Sequence, residues 1–89
     1  MTQVDMVAVD ELVREIARAL VDEPGAVEVE SVQRDENTVL RLRVAPGDVG
    51  KVIGRQGMTI NAIRSLLLAG SAKKGLRCTL EIVEENPAT

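Results

Sequence analysis

The chain has 89 residues, of which 45% are apolar and none is aromatic, with one cysteine, no histidine and a formal net charge of −3. That length bounds it to about one domain with a single modest core, and the missing histidines exclude the usual zinc spacings and the Ser/His and Cys/His nucleophile arrangements, which makes catalysis the weaker class. No apolar run approaches the length of a bilayer span, the N-terminus lacks a basic region ahead of an apolar stretch, and lone Cys78 fits a reducing compartment, so the expected location is the cytoplasm.

From Met6 to Val21 the apolar positions Val9, Leu12, Val13, Ile16, Ala19 and Leu20 recur at three- and four-residue steps among charged residues, which predicts an amphipathic helix with Asp5 as N-cap. The stretch Asp22-Glu23-Pro24-Gly25 ends it. Ala26 to Arg34 opens with strand alternation at Val27 and Val29 and shifts phase at Val32, the mark of a bulged or edge strand. Arg34 to Asn37 is polar turn material, and Thr38 to Val44 alternates cleanly, which completes a hairpin. Pro46 and Asp48 then start a short helix carrying Val49, Val52 and Ile53. After Gly57 a second helical pattern faces Ile60, Ile63, Leu66, Leu67 and Gly70 inward and ends near Lys73, Lys74 and Gly75. Leu76 to Val83 alternates again around Cys78, which reads as a small buried apolar residue in a third strand. Glu84 to Thr89 reads as a flexible tail. The order α-β-β-α-α-β, residues 6–83 forming the core, predicts a two-layer α+β domain spanning 1–89, with a three-stranded sheet covered on one face by three helices.

Charge is unevenly spread along this order. Residues 49–80 contain Lys51, Arg55, Arg64, Lys73, Lys74 and Arg77 and no acid, whereas residues 1–48 hold eleven acids against five bases. A local positive field attracts anions whatever the total charge. Within it lies Gly54-Arg55-Gln56-Gly57, four residues turning the chain between two helices. Paired glycines admit backbone conformations closed to other residues and let a polymer backbone approach, the start of the next helix offers unpaired amides and its dipole, and Arg55, Gln56, Lys51 and Arg64 supply charge and hydrogen bonds. The combination describes a site for consecutive phosphates.

Other readings of the glycines compete. A mononucleotide P-loop requires Gly-Lys followed by Ser or Thr, but Val52 follows Lys51; a dinucleotide fingerprint requires glycine two residues before Gly54, where Val52 stands. A helix-turn-helix DNA reader and a purely structural turn stay open, as do a protein-interaction module and, more distantly, a hydrolase using carboxylates such as Asp48.

The stretch Val52-Ile53-Gly54-Arg55-Gln56-Gly57-Met58-Thr59-Ile60 resembles the KH-domain signature, and the element order resembles the type II arrangement over residues 6–83. The chain is similar to the small bacterial RNA-binding proteins of the KhpA family. The resemblance implies that Gly54, Arg55, Gln56 and Gly57 clamp the backbone of about four unpaired nucleotides, that Ile53 helps floor an aliphatic base groove, and that no metal or other cofactor is used. Lys51 and Arg64 as flanking phosphate contacts follow from position. The lack of aromatics disfavours RRM and OB-type stacking surfaces and is compatible with a KH groove. The family further implies RNA chaperoning or post-transcriptional regulation linked to cell shape and wall synthesis, a homodimer or a heterodimer with a KhpB (Jag)-type partner, and neither membrane nor small-molecule substrate. An apolar patch from Met58, Ile60 to Ile63 and Leu68 is the expected contact surface.

Overall fold

The computed structural model describes residues 6–72 and 77–83. In chain order these form α1 (Met6–Leu20), β1 (Glu28–Arg34), β2 (Asn37–Arg43), α2 (Val49–Ile53), α3 (Met58–Ala72) and β3 (Cys78–Val83), with 3-10 turns at Pro24–Ala26, Pro46–Asp48 and Arg55–Gly57. The expected α-β-β-α-α-β order holds. The expected N-cap Asp5, the expected helix end at Lys73, Lys74 and Gly75, the strand start at Leu76 and the expected tail 84–89 lie outside the described residues.

β2 is the central strand, antiparallel to β1 and parallel to β3. The β1–β2 register runs unbroken from Glu28↔Arg43 to Arg34↔Asn37, and Asp35 takes φ 55 in the two-residue turn between them. β1 therefore carries no bulge, and it is the edge strand that the phase shift also allowed. Its phase shift has another cause: Val32 faces away from the core, opposite Val39, while the inward positions at that end are polar. There Gln33 lies opposite Thr38, whose Oγ1 donates to Gln33 Oε1 at 3.0 Å, so a buried hydroxyl is satisfied within the hairpin.

One sheet face carries Leu40, Leu42, Cys78 and Leu80, and against it pack Val13 and Ala17 of α1, Val52 of α2, and Ile60, Ile63 and Leu67 of α3. All three helices thus share one core with that face. Without aromatics the layer is built from branched aliphatics, each worth about 1.5–3 kcal/mol when fully buried. The opposite face holds a charge ladder, Arg43 beside Glu28 (3.5 Å) and Arg41 between Glu30 (3.8 Å) and Glu81 (3.3 Å).

Four inward assignments change. Leu66 is 61% exposed and Gly70 is exposed, because the buried stripe of α3 is the narrower set Ile60, Ile63 and Leu67. On α1 the stripe is centred on Val13 and Ala17, which leaves Leu12 and Ala19 outside it. Cys78 is buried as expected, and its thiol is pushed up by burial and then by the charge of Asp10. The Asp10 carboxyl is itself raised, chiefly by burial, then lowered by Arg14 and raised by Glu11; its Oδ1 is buried without a hydrogen-bond partner.

Candidate nucleic-acid interface

Five residues make α2, little more than one turn, so its own backbone hydrogen bonds give it scant stability and its place is set by tertiary anchors. Val52 plugs it into the core with no exposed surface, while Val49 and Ile53 pack half-buried at its sides. The helix ends where Gly54 N–H donates to Gly50 O at 2.9 Å.

At Gly54 the chain takes φ 80 and ψ 171, a conformation in which side chains are strained. A Cβ placed there would lie 2.6 Å from Thr59 Cβ and 2.9 Å from Thr59 N. Thr59 therefore fills the space a side chain would need, a constraint that the glycine spacing alone did not reveal. Gly57 also has positive φ, 76, but its nearest neighbour would be Asn61 Nδ2 at 3.6 Å. The first glycine is sterically obligatory; the second is required by backbone conformation.

Between them Gln56 adopts φ 56 and ψ 28, a left-handed conformation for a residue that has a Cβ, at about 1–2 kcal/mol. The Arg55–Gly57 turn thus holds its two polar side chains on a tightly defined corner, both exposed. The amides of Gly57 and Met58 donate inside this turn, to Gly54 O (3.1 Å) and Arg55 O. The helix start therefore offers an anion fewer free donors than its position in sequence implied, and the side chains of Arg55 and Gln56 carry more of that task.

The two flanking cations differ from the expectation of free arms. Lys51 is exposed on α2, but its Nζ lies 3.4 Å from Asp22 Oδ2 and 3.6 Å from Asp48 Oδ1. Arg64 Nε donates to Leu80 O at 3.2 Å, tying α3 to β3. Among the described residues Arg55 forms no ion pair, so the loop keeps one uncompensated cation. Ile53 lies half-buried beside Gly54. The expected apolar patch also changes: Ile60 and Ile63 are core, and the exposed apolar side chains of α3 are Met58 (67%), Leu66 and Leu68 (54%).

Asp48 stands at the head of the short helix, as expected, and its side chain has a further task. It caps no helix amide with its side chain; it is buried, and its Oδ2 accepts from the N–H groups of Asp22 (3.2 Å) and Glu23 (3.0 Å) in the α1–β1 connection. A helix-turn-helix reading loses ground because the two helices flanking the glycines pack against a sheet. Among the described residues no group of three His, Cys, Asp or Glu side chains could hold a metal, and no helix is long and apolar enough to cross a membrane.

The family model KhpA/KhpB, KH domain, matches residues 10–82. RNA-binding protein KhpA of Caldanaerobacter subterraneus is 48% identical over 73 residues, 82% of this chain and 97% of that protein. RNA-binding protein KhpA of Treponema pallidum is 47% identical over 75 residues, 84% and 94% of the two chains. Among solved structures, an Aquifex aeolicus Era variant bound to GDP and aluminium fluoride aligns over 97% of this chain and 35% of that one, with TM-score 0.54 and 22% identity, a likeness of fold alone.

Proposed function

This chain belongs to the KhpA/KhpB KH-domain family, and from that premise we propose that it is a single-stranded RNA-binding protein working without chemistry of its own. The observation that carries the reading is the corner Gly54–Gly57. It couples a half-buried glycine with no room for a side chain to an exposed left-handed glutamine and an exposed arginine that forms no ion pair among the described residues. A bare main chain there admits the sugar-phosphate backbone closely, and Arg55 and Gln56 donate to its oxygens. Ile53 lies where an unstacked base would meet aliphatic surface. Lys51 and Arg64 then act less as direct ligands than as part of the frame.

Binding by such a corner releases few counterions, with a slope of log K on log salt of about −0.7 per phosphate neutralised. Without aromatic stacking a single copy binds weakly, so pairing of modules raises the useful affinity. We place the protein in the cytoplasm as a single KH domain acting as an RNA chaperone or post-transcriptional regulator, self-associating or pairing with a KhpB-type partner, in a pathway tied to cell shape and wall synthesis. Exposed Met58, Leu66 and Leu68 favour a protein contact alongside RNA rather than in place of it.

The test replaces Arg55 and Gln56 together with Asp and follows an unpaired RNA oligonucleotide by fluorescence anisotropy near 0.1 M salt. Binding should vanish while thermal unfolding changes little, since both side chains are exposed. Retained affinity would move the site elsewhere. A large loss of stability would favour the purely structural turn.

A further inference from the structure

We infer that Asp48 is a positioning residue for the phosphate-binding corner, a clamp that locks α2 to the end of α1; the inference rests on the RNA-binding reading above. Asp48 is 3% exposed, a rare condition for a carboxylate that does not meet a ligand. Its surroundings explain how it is tolerated. Oδ2 takes two consecutive backbone N–H groups, Asp22 at 3.2 Å and Glu23 at 3.0 Å, and Oδ1 faces Lys51 Nζ at 3.6 Å. Charge-assisted bonds of this kind are short-range and directional, so they fix geometry as well as adding energy.

The clamp matters because of what it holds. α2 leads directly into Gly54, and a helix of five residues cannot keep its own orientation. Val52 anchors one side of it in the core. Asp48 stands at the head of that helix and fastens it to a segment 25 and 26 residues earlier. Lys51, one turn on, reaches back to both Asp48 and Asp22 and closes the same joint from the other side. Only the five residues of α2 separate Asp48 from Gly54, so an altered tilt of α2 is carried into the corner. Lys51 on this view is held by acids to orient the loop, and phosphate recognition falls to Arg55 and Gln56.

The experiment compares three variants in the full chain, each assayed below its unfolding transition. Asp48→Ala removes the clamp. Asp48→Asn keeps an oxygen that accepts the same two N–H groups. Cys78→Ala opens a small cavity at the far end of the sheet, where Cys78 pairs with Thr38, and serves as a destabilised control. Expected are RNA binding about tenfold weaker for Asp48→Ala, affinity within about threefold of the parent for Asp48→Asn, and an unchanged affinity for Cys78→Ala despite its lower melting temperature. In the parent protein, saturating oligonucleotide should slow hydrogen exchange at the Asp22 and Glu23 amides, since coupling between clamp and site is reciprocal; this readout stands even if Asp48→Ala fails to fold. Equal affinity in all three variants, or exchange at those amides indifferent to RNA, overturns the clamp. Failure of the RNA-binding reading shows separately, as full binding by the Arg55→Asp, Gln56→Asp protein.

Discussion

Replacing Gly54 with Ala tests the asymmetry between the two glycines. At φ 80 and ψ 171 a side chain is strained by about 1–3 kcal/mol on backbone grounds. The added Cβ also meets Thr59 Cβ at 2.6 Å and Thr59 N at 2.9 Å, contacts that no flexible side-chain tip can relieve because one is backbone of α3. Opening that corner resembles overpacking a core, at about another 1–3 kcal/mol. Gly57→Ala has only the backbone term, about 1–2 kcal/mol, because Asn61 Nδ2 at 3.6 Å is an ordinary contact. The structure thus predicts that Gly54→Ala is the more damaging by about 2 kcal/mol, or about 8–16 °C in melting temperature for a domain this small. Calorimetry or urea denaturation of both proteins measures the gap. Adding Thr59→Gly to Gly54→Ala should recover part of the loss, a coupling that a double-mutant cycle isolates. Equal destabilisation by the two glycine substitutions, with no coupling to Thr59, would refute the steric account.

Two further outcomes follow from burial. Leu66→Ala should change stability by less than about 1 kcal/mol while Leu67→Ala, one residue on and 4% exposed, loses about 2–5 kcal/mol; chemical denaturation separates them, and similar values would return Leu66 to the core. Asp10 has its carboxyl raised above the unfolded value of 3.8, mainly by burial, so the folded state favours its protonated form. Stability from this group is present below that value and is lost as pH climbs through the raised one. Asp10→Asn should therefore melt higher than the parent at pH 7 and flatten the fall in stability above pH 4, and a melting temperature that drops at pH 7 would contradict the burial argument.

Element types and order were legible because hydrophobic period is a local property: the cleanly alternating stretches Thr38–Val44 and Leu76–Val83 gave β2 and β3, and the three-and-four spacing gave α1 and α3. Faces were less so. Leu66 and Leu67 are adjacent and equally apolar, and only the width of the layer beneath α3 decides that one of them is left in solvent. The phase slip at Val32 fitted a bulge or an edge strand; the register is continuous, β1 lies at the sheet edge, and the polar partners Gln33 and Thr38 satisfy each other. At the corner, the two glycines were visible as a spacing, but their unequal roles depend on Thr59, and the left-handed Gln56 has no signature in its residue type. Asp48 escaped for a plainer reason: its partners are amides 25 and 26 positions away, and backbone N–H groups look alike in any sequence.

Net charge and local charge part company here, and the ion pairs explain how. Arg14 and Arg18 meet Glu11 (3.4 Å) and Glu15 (3.6 Å) on α1, Arg41 and Arg43 are absorbed by the sheet ladder, and Lys51 is held by Asp22 and Asp48. Exposed pairs of this kind add little stability, typically about 0–1 kcal/mol. Their effect is on the field: Glu11, Glu15, Glu28 and Glu30 are spent on cations of residues 1–48 and Asp22 and Asp48 on Lys51, whereas among the described residues Arg55 meets no acid at the corner. How much of this an approaching polyanion feels depends on screening. At about 0.15 M salt the Debye length is about 8 Å, and the phosphates sense the corner rather than the whole; at about 0.01 M it is about 30 Å, longer than the short dimensions of 24 Å, and the total of −3 opposes them. A negative total charge is therefore compatible with capture of RNA near physiological salt, where the short-range arrangement of Arg55, Gln56 and bare main chain governs the encounter.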